Sequence, residues 1–408
     1  MYYPAMHTKK LYIVMVGLPA RGKSTIASRM RDSLTRDSIP ARVFNNGKLR
    51  RKLTGIETSE ASFYAPENRE GVALREKIAL INIERAKAFL TGKGRVAILD
   101  ATNVTPKRRE KIKALLSDHP IMFLECINED HEILEANIAR KICMPEFSHL
   151  DRDEAVRSFN KRIDFYKAIY RPLETEKNFI KLDSLNRRII GEHIDEDIPF
   201  YDRLRDFLVT DVVKNLFLVR HGETYFNLEN RIGGDSPLTS KGLEQARSLA
   251  GYFAGKTIPV IFTSKKLRTI QTAEPIKDLQ DNCAIISLGE FDEINSGICE
   301  CMTYGEIRLT MPHVHSERQK DKFHYVYPGG EGYATMKDRI DRGIKKAIYL
   351  SGVSQNIMII GHRAVNRMIL AHFLYRRTED VPYTYIPQDK FYHIVATQNK
   401  KLFELKRF

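Results

Sequence analysis

Six apolar or aromatic residues run without a break from Leu11 to Val16 and stop at Gly17. A run of that length with no polar interruption predicts a strand covered on both faces, as in a parallel sheet. Shorter runs repeat the pattern at Arg42–Phe44, Arg95–Leu99 and Ile121–Cys126. Between them lie stretches with helical spacing. Ile26–Leu34 is one; Arg75–Leu90 is another, with Leu80, Ile83 and Ala86 on its apolar face; Asp153–Tyr170 is a third. Strand alternating with helix predicts an α/β, doubly wound domain, whose ligands bind beyond the carboxyl ends of the strands. Arg187–Val213 is mixed and charged, with a helix expected near its end, and reads as the tail of this domain and a connection to the next. A second series of strand runs follows at Asn215–Val219, Val260–Thr263 and Ile357–Ile360. The predicted domains are therefore 1–213 and 214–408.

The first strand run leads into Gly17-Leu18-Pro19-Ala20-Arg21-Gly22-Lys23-Ser24, a full match to the phosphate-loop pattern G-x-x-x-x-G-K-[ST]. The glycines let backbone N–H groups turn inward on phosphate oxygens, and the following helix presents its N-terminus to the same anion. Lys23 is expected at the β- and γ-phosphates and Ser24 at Mg²⁺. Arg95–Leu99 ends in Asp100-Ala101-Thr102-Asn103, which supplies the carboxylate a Mg²⁺–nucleotide site needs; Asp and Thr there also suit a helix N-cap. Arg162 and Tyr166, four apart, share a helix face.

In the second half, Asn215–Val219 delivers Arg220-His221-Gly222-Glu223. An imidazole beside a guanidinium at a strand end can attack phosphorus and form a phosphohistidine, provided cations surround the phosphoryl oxygens. Arg268 follows the strand Val260–Thr263 and His362 follows Ile357–Ile360, so three strands lead to phosphate-competent side chains. Asp292 and Glu293 both offer a general acid, and the residues alone do not rank them.

Composition narrows the setting. The chain has 408 residues, 42% hydrophobic and 29% charged, with a formal net charge of +14. No apolar run is long enough to span a bilayer, which argues against a membrane protein. The basic residues are spread rather than blocked, which favours anionic pockets over a nucleic-acid stripe. The five cysteines lack metal-site spacing and read as thiols of a reducing, cytoplasmic compartment.

Together the motifs GLPARGKS, DATN, FNKRIDFYKAIYRPL, LVRHGETYFN, GGDSPLT, LRTIQTAE, DEINSGICECMTY and IIGHRAVNR resemble the 6-phosphofructo-2-kinase/fructose-2,6-bisphosphatase family over nearly the whole chain. The resemblance implies a P-loop NTPase-like doubly wound domain followed by a phosphoglycerate-mutase-like histidine-phosphatase α/β domain. It implies ATP and Mg²⁺ for the first half and no cofactor for the second. It implies Lys23, Asp100 and Lys141 as ATP and transition-state residues, with Ser24 and Asp100 at the metal. Arg50, Arg51, Arg75, Thr102, Arg108, Arg162 and Tyr166 are implied for fructose 6-phosphate. In the second half it implies His221 as nucleophile and Glu293 as acid, with Arg220, Asn227, Arg268 and His362 around the reacting phosphate. Tyr304, Arg318, Lys322, Arg363 and Arg367 are implied for the sugar and its other phosphate; Arg318 and Lys322 also fit an ordinary solvated charge run, Glu317–Lys322. Pro106 and Arg363 depart from the family pattern. The implied partners are small molecules, with a homodimer as the expected assembly. Two other readings compete: a polynucleotide 5′-kinase joined to a phosphatase, and a kinase joined to a mutase-type R-H-G domain.

Overall fold

A computed structural model of the chain describes residues 9–54, 56–374, 377–397 and 400–408. The chain divides into two compact units, Met1–Thr210 and Asp211–Phe408. In the first unit, β1 (Leu11–Val16), β2 (Ala41–Asn45), β3 (Val96–Asp100), β4 (Ile121–Ile127) and β5 (Asn178–Asp183) are parallel in the order β2-β3-β1-β4-β5. An antiparallel strand, β6 (Arg188–Ile194), closes the sheet against β5.

The unbroken apolar run of β1 is explained by burial on both faces. Leu11, Ile13 and Met15 pack with Ile26, Met30 and Leu34 of the helix Lys23–Arg36. Tyr12, Val14 and Val16 enter the opposite core with Ile83, Ala86 and Leu90 of the helix Arg69–Thr91. Each such aliphatic side chain contributes about 1.5–3 kcal/mol. Because β1 lies between β3 and β4, the loops after these three strands open at one sheet edge.

The helix Arg69–Thr91 departs from the expectation in its buried face and in its start. Leu80 is 36% exposed, and the buried row of its helix runs through Ala79, Ile83, Ala86 and Leu90. The helical step back from Ile83 is four residues, to Ala79, and Leu80 falls off the face. The helix also starts earlier than Arg75, at Arg69, because Asn68 caps it by accepting from the Gly71 N–H at 2.7 Å. The stretch from Arg187 to Val213 has the helix expected near its end and, in addition, a strand. It holds β6 and the helix Tyr201–Val209, whose Leu204, Phe207 and Leu208 complete the first core.

In the second unit, β7 (Val213–Arg220), β8 (Val260–Thr263), β9 (Ala284–Ser287) and β10 (Asn356–Gly361) are parallel. With β11 (Lys390–Ala396) and β12 (Lys401–Arg407), both antiparallel to their neighbours, the order is β12-β11-β7-β10-β8-β9. The register places Gly361 of β10 opposite Arg220 of β7, and Ile360 opposite Thr263 of β8. His221 and His362, each the next residue along, therefore leave the sheet at one level, with Ser264 one residue behind them.

Candidate active sites

The first site is built on the turn after β1. Gly17 takes φ +132°, and a Cβ on it would lie 2.6 Å from the Cys126 carbonyl oxygen of β4. Gly22, at φ +83°, caps the helix Lys23–Arg36 from the left-handed region. Only glycine meets the first demand without strain, which is why the pattern fixes that position. The turn is held from outside by three hydrogen bonds: the Gly17 N–H to Thr102 O at 3.0 Å, Asn137 Nδ2 to Ala20 O at 3.0 Å, and Ser184 Oγ to Arg21 O at 3.0 Å. Leu18, Pro19, Ala20 and Arg21 thus line a loop fastened to the ends of two strands, β3 and β5, and to the helix His131–Ile142.

Asp100, 3% exposed at the end of β3, accepts from Asn45 Nδ2, and the same amide nitrogen lies 3.2 Å from Ser24 Oγ. A hydroxyl and a carboxylate drawn to one amide make a pair of hard oxygen donors, the chemistry that suits Mg²⁺. Lys23 is 7% exposed and donates to Leu18 O at 2.5 Å. Burial pushes its ammonium down to about 8; Asp100 opposes that shift, and Arg162 and Lys141 add to it. Lys141 is lowered too, by burial and by Arg51, Arg140 and Arg162. Lys23, Lys141, Arg162 and Asp100 therefore share one field with an excess of positive charge, an anion-receptive arrangement.

Beside it lies a cluster of arginines about Tyr64. Arg162 stacks 3.9 Å above the Tyr64 ring centroid, with Arg75 at 5.6 Å and Arg50 at 5.7 Å, and the Tyr166 ring is 6.1 Å away. Arg75 also donates to Phe63 O. The arginines expected at the hexose phosphate do not all stand free. Arg50, 4% exposed, is committed to Glu146 and Thr58 O, so it braces the wall and does not reach out as a ligand. Arg51 pairs with Glu146 at 3.2 Å, and Arg108 with both Glu76 oxygens at 2.8 Å. Tyr64 belongs to no chemistry-bearing motif; its one signal in the sequence is the aromatic pair Phe63-Tyr64 between two arginine-bearing helices.

The second site is a cavity of about 630 Å³ in the second unit. Arg220, His221, Asn227, Arg268 and Glu293 line it, as do Tyr304, Arg318, Lys322, Arg363 and Arg367. The His221 ring donates from Nδ1 to Gly222 O at 2.7 Å, since a carbonyl only accepts, and this leaves the lone pair on Nε2. Burial, with the guanidinium groups of Arg268 and Arg220, holds this imidazole well below its ordinary value, so it is neutral at pH 7. His362, 0% exposed, is 5.2 Å from His221 between ring centroids. It accepts from Arg268 Nε at 3.2 Å, so its proton sits on Nε2, which donates to Ser264 Oγ at 2.8 Å. That geometry makes His362 a support for Arg268.

The two candidate acids are separated by their partners. Asp292 accepts from the Lys265 N–H at 2.7 Å and ties two loops together. Glu293 lines the cavity and accepts from the Arg363 N–H at 3.1 Å, at the start of the helix Arg363–Leu374. Arg318 donates to Tyr304 OH at 3.2 Å, Lys322 to Pro382 O at 3.2 Å, and Arg367 to Thr384 O at 2.8 Å and Tyr333 OH at 2.9 Å. Burial pushes Lys322 down to about 8, and Arg318, Arg367 and Arg363 add to the shift. Gln388, absent from the expected set, also lines the cavity and bridges Asn227 Oδ1 at 2.9 Å and His221 O at 3.2 Å.

A phosphate loop fastened over Lys23 and Asp100, then a neutral histidine ringed by arginines on a separate sheet, define a two-domain kinase and histidine phosphatase. The family models and the sequence relatives agree. The 6-phosphofructo-2-kinase model matches residues 1–210, and the histidine phosphatase superfamily (branch 1) model matches residues 216–407. 6-Phosphofructo-2-kinase/fructose-2,6-bisphosphatase 3 of Rattus norvegicus is 34% identical over 94% of this chain and 69% of its own. 6-Phosphofructo-2-kinase/fructose-2,6-bisphosphatase 4 of Macaca fascicularis is 35% identical over 92% of this chain and 80% of its own. Among solved structures, a putative alpha-ribazole-5'-P phosphatase from Escherichia coli str. K-12 substr. MG1655 matches with a TM-score of 0.44 and 24% identity, over 48% of this chain and 97% of that one. The chain belongs to the 6-phosphofructo-2-kinase/fructose-2,6-bisphosphatase family.

Proposed function

We propose that the first unit transfers the γ-phosphoryl of ATP to O2 of fructose 6-phosphate and that the second removes the same phosphate. The kinase step is in-line transfer governed by position and charge. Lys23 and the loop Gly17–Ser24 hold the nucleotide's phosphates, and Lys141 meets the charge that develops on the transferred group. Ser24 and Asp100 would hold Mg²⁺, which neutralises charge between nucleotide oxygens. Arg162, Arg75, Thr102 and Tyr166 take the hexose phosphate, with Arg51 and Arg108 at its rim.

In the phosphatase step, His221 Nε2 attacks phosphorus while the P–O2 bond breaks and Glu293 gives its proton to the leaving O2. Arg220, Arg268 and Asn227 stabilise the phosphoryl oxygens, and His362 positions Arg268. Water then attacks the phosphohistidine, Glu293 takes its proton, and phosphate leaves. Tyr304, Arg318, Lys322, Arg363 and Arg367 receive the sugar and its 6-phosphate. The observation that carries this half is the Nδ1 bond of His221 to Gly222 O, which leaves a neutral ring with its lone pair on the nitrogen that attacks.

The five cysteines are all unpaired thiols, which supports a reducing cytoplasmic setting. No helix among the described residues is long and apolar enough to cross a membrane. The test is incubation with Mg·ATP and fructose 6-phosphate, with ³¹P NMR of the product and a parallel assay of its hydrolysis. A new phosphate on C2, later released, is expected. Turnover of a polynucleotide 5′-end or of 3-phosphoglycerate in its place would overturn the reading.

A further inference from the structure

Arg162, one of the cations assigned above to the hexose phosphate, is held without a carboxylate among the described residues. Among the described residues it makes no ion pair, and its buried Nε has no hydrogen-bond partner. Its nearest support is aromatic: the Tyr64 ring at 3.9 Å and the Phe159 ring at 5.5 Å. Tyr64 is only 6% exposed and has a second guanidinium, that of Arg75, at 5.6 Å. Its own ring is fixed edge-on by Phe63, at 5.0 Å and 89°.

We infer that Tyr64 is a positioning residue for the kinase reaction: its π face holds Arg162, with Arg75 near the same ring, oriented and un-neutralised for the phosphate of the sugar substrate. The physical reason is a choice between two ways of holding a desolvated guanidinium. A carboxylate holds it strongly but cancels its charge and competes with the incoming anion. An aromatic face attracts the cation through the ring quadrupole and leaves every N–H donor unspent. Arg50 shows the other solution within the same cluster, since its donors go to Glu146 and Thr58 O and it is spent as a brace. The charge retained on Arg162 is felt nearby, where it helps push both Lys23 and Lys141 down.

The inference rests on Arg162 binding the hexose phosphate. The experiment compares Tyr64→Phe, Tyr64→Leu and Tyr64→Met with Arg162→Ala, measuring kcat and KM for each kinase substrate and phosphatase activity as a check on folding. Tyr64→Leu and Tyr64→Met should raise KM for fructose 6-phosphate about five- to thirty-fold, the loss of a desolvated cation–π contact. KM for ATP and phosphatase activity should stay within two-fold, and Tyr64→Phe should retain the wild-type KM. A merely structural role would move both KM values together, and that result overturns the inference. So does an unchanged KM for fructose 6-phosphate in both aliphatic variants, or a Tyr64→Phe variant as impaired as Tyr64→Leu. If Arg162→Ala leaves KM for fructose 6-phosphate unchanged, the assignment of the pocket fails, and the inference about Tyr64 falls with it for a separately identifiable reason.

Discussion

Replacing His372 with Gln should uncouple the stability of the second unit from pH. His372 lies near the end of the helix Arg363–Leu374, with Nδ1 2.9 Å from Asp341 Oδ1 and Nε2 3.6 Å from Asp211 Oδ2. Lys337 also pairs with Asp341, at 2.5 Å. Burial alone would lower this imidazole, but the two carboxylates outweigh burial and raise it to about 9. A folded value of about 9 against an unfolded 6.5 is about 2.5 units, or about 3 kcal/mol. The sign follows from which form the fold prefers. The imidazolium is favoured, so the contribution is complete below about pH 6.5 and fades as pH rises to about 9. His372→Gln should therefore cost about 3 kcal/mol at pH 6, or about 6–12 °C in Tm. By pH 9.5 the two proteins should differ by less than about 1 kcal/mol. The assay is urea unfolding of both proteins between pH 6 and 9.5, followed through loss of phosphatase activity. Equal differences at the two ends would refute the reasoning, because a packing defect does not titrate.

Two further outcomes are expected. Gly17→Ala puts a methyl group 2.6 Å from Cys126 O at a positive φ and should strain the phosphate loop by about 2–5 kcal/mol. Kinase activity should fall at least a hundred-fold with phosphatase activity intact; normal ATP turnover would show that the loop relaxes freely. Gln388→Ala removes the donor shared by Asn227 and His221 O and should lower phosphatase kcat/KM about ten-fold without affecting the kinase. Unchanged phosphatase kinetics would show that bridge to be idle.

Much of this was legible in the chain because some features tie residue type directly to geometry. The unbroken run Leu11–Val16 announces a strand covered on both sides, and the glycines after it announce a turn no other residue makes. The histidine after β7 was legible for the same reason. Less visible were elements half open to solvent. β6, RIIGEHI, and β12, KLFELKR, are broken by Arg188, Glu192, Glu404 and Lys406 and bury no residue fully, so neither shows the continuous apolar signal of the central strands. Asp292 and Glu293 are chemically alike and adjacent; only their tertiary partners, Lys265 N and Arg363 N, tell them apart. The run Glu317–Lys322 mixed two destinies. Glu317 and Lys320 pair at the surface, while Arg318 and Lys322 face the cavity. Tyr64 and Gln388 act through neighbours distant in sequence, and no local pattern marks them.

The proposed function puts two independent sites to work in opposite directions on one sugar phosphate. Its most direct test is a pair of variants, Lys23→Ala and His221→Ala, each assayed for synthesis and hydrolysis of fructose 2,6-bisphosphate. Lys23→Ala should lose synthesis and keep hydrolysis, and His221→Ala should do the reverse and form no acid-labile phosphoenzyme. Loss of both activities in either variant, or a labelled phosphoenzyme surviving in His221→Ala, would contradict it.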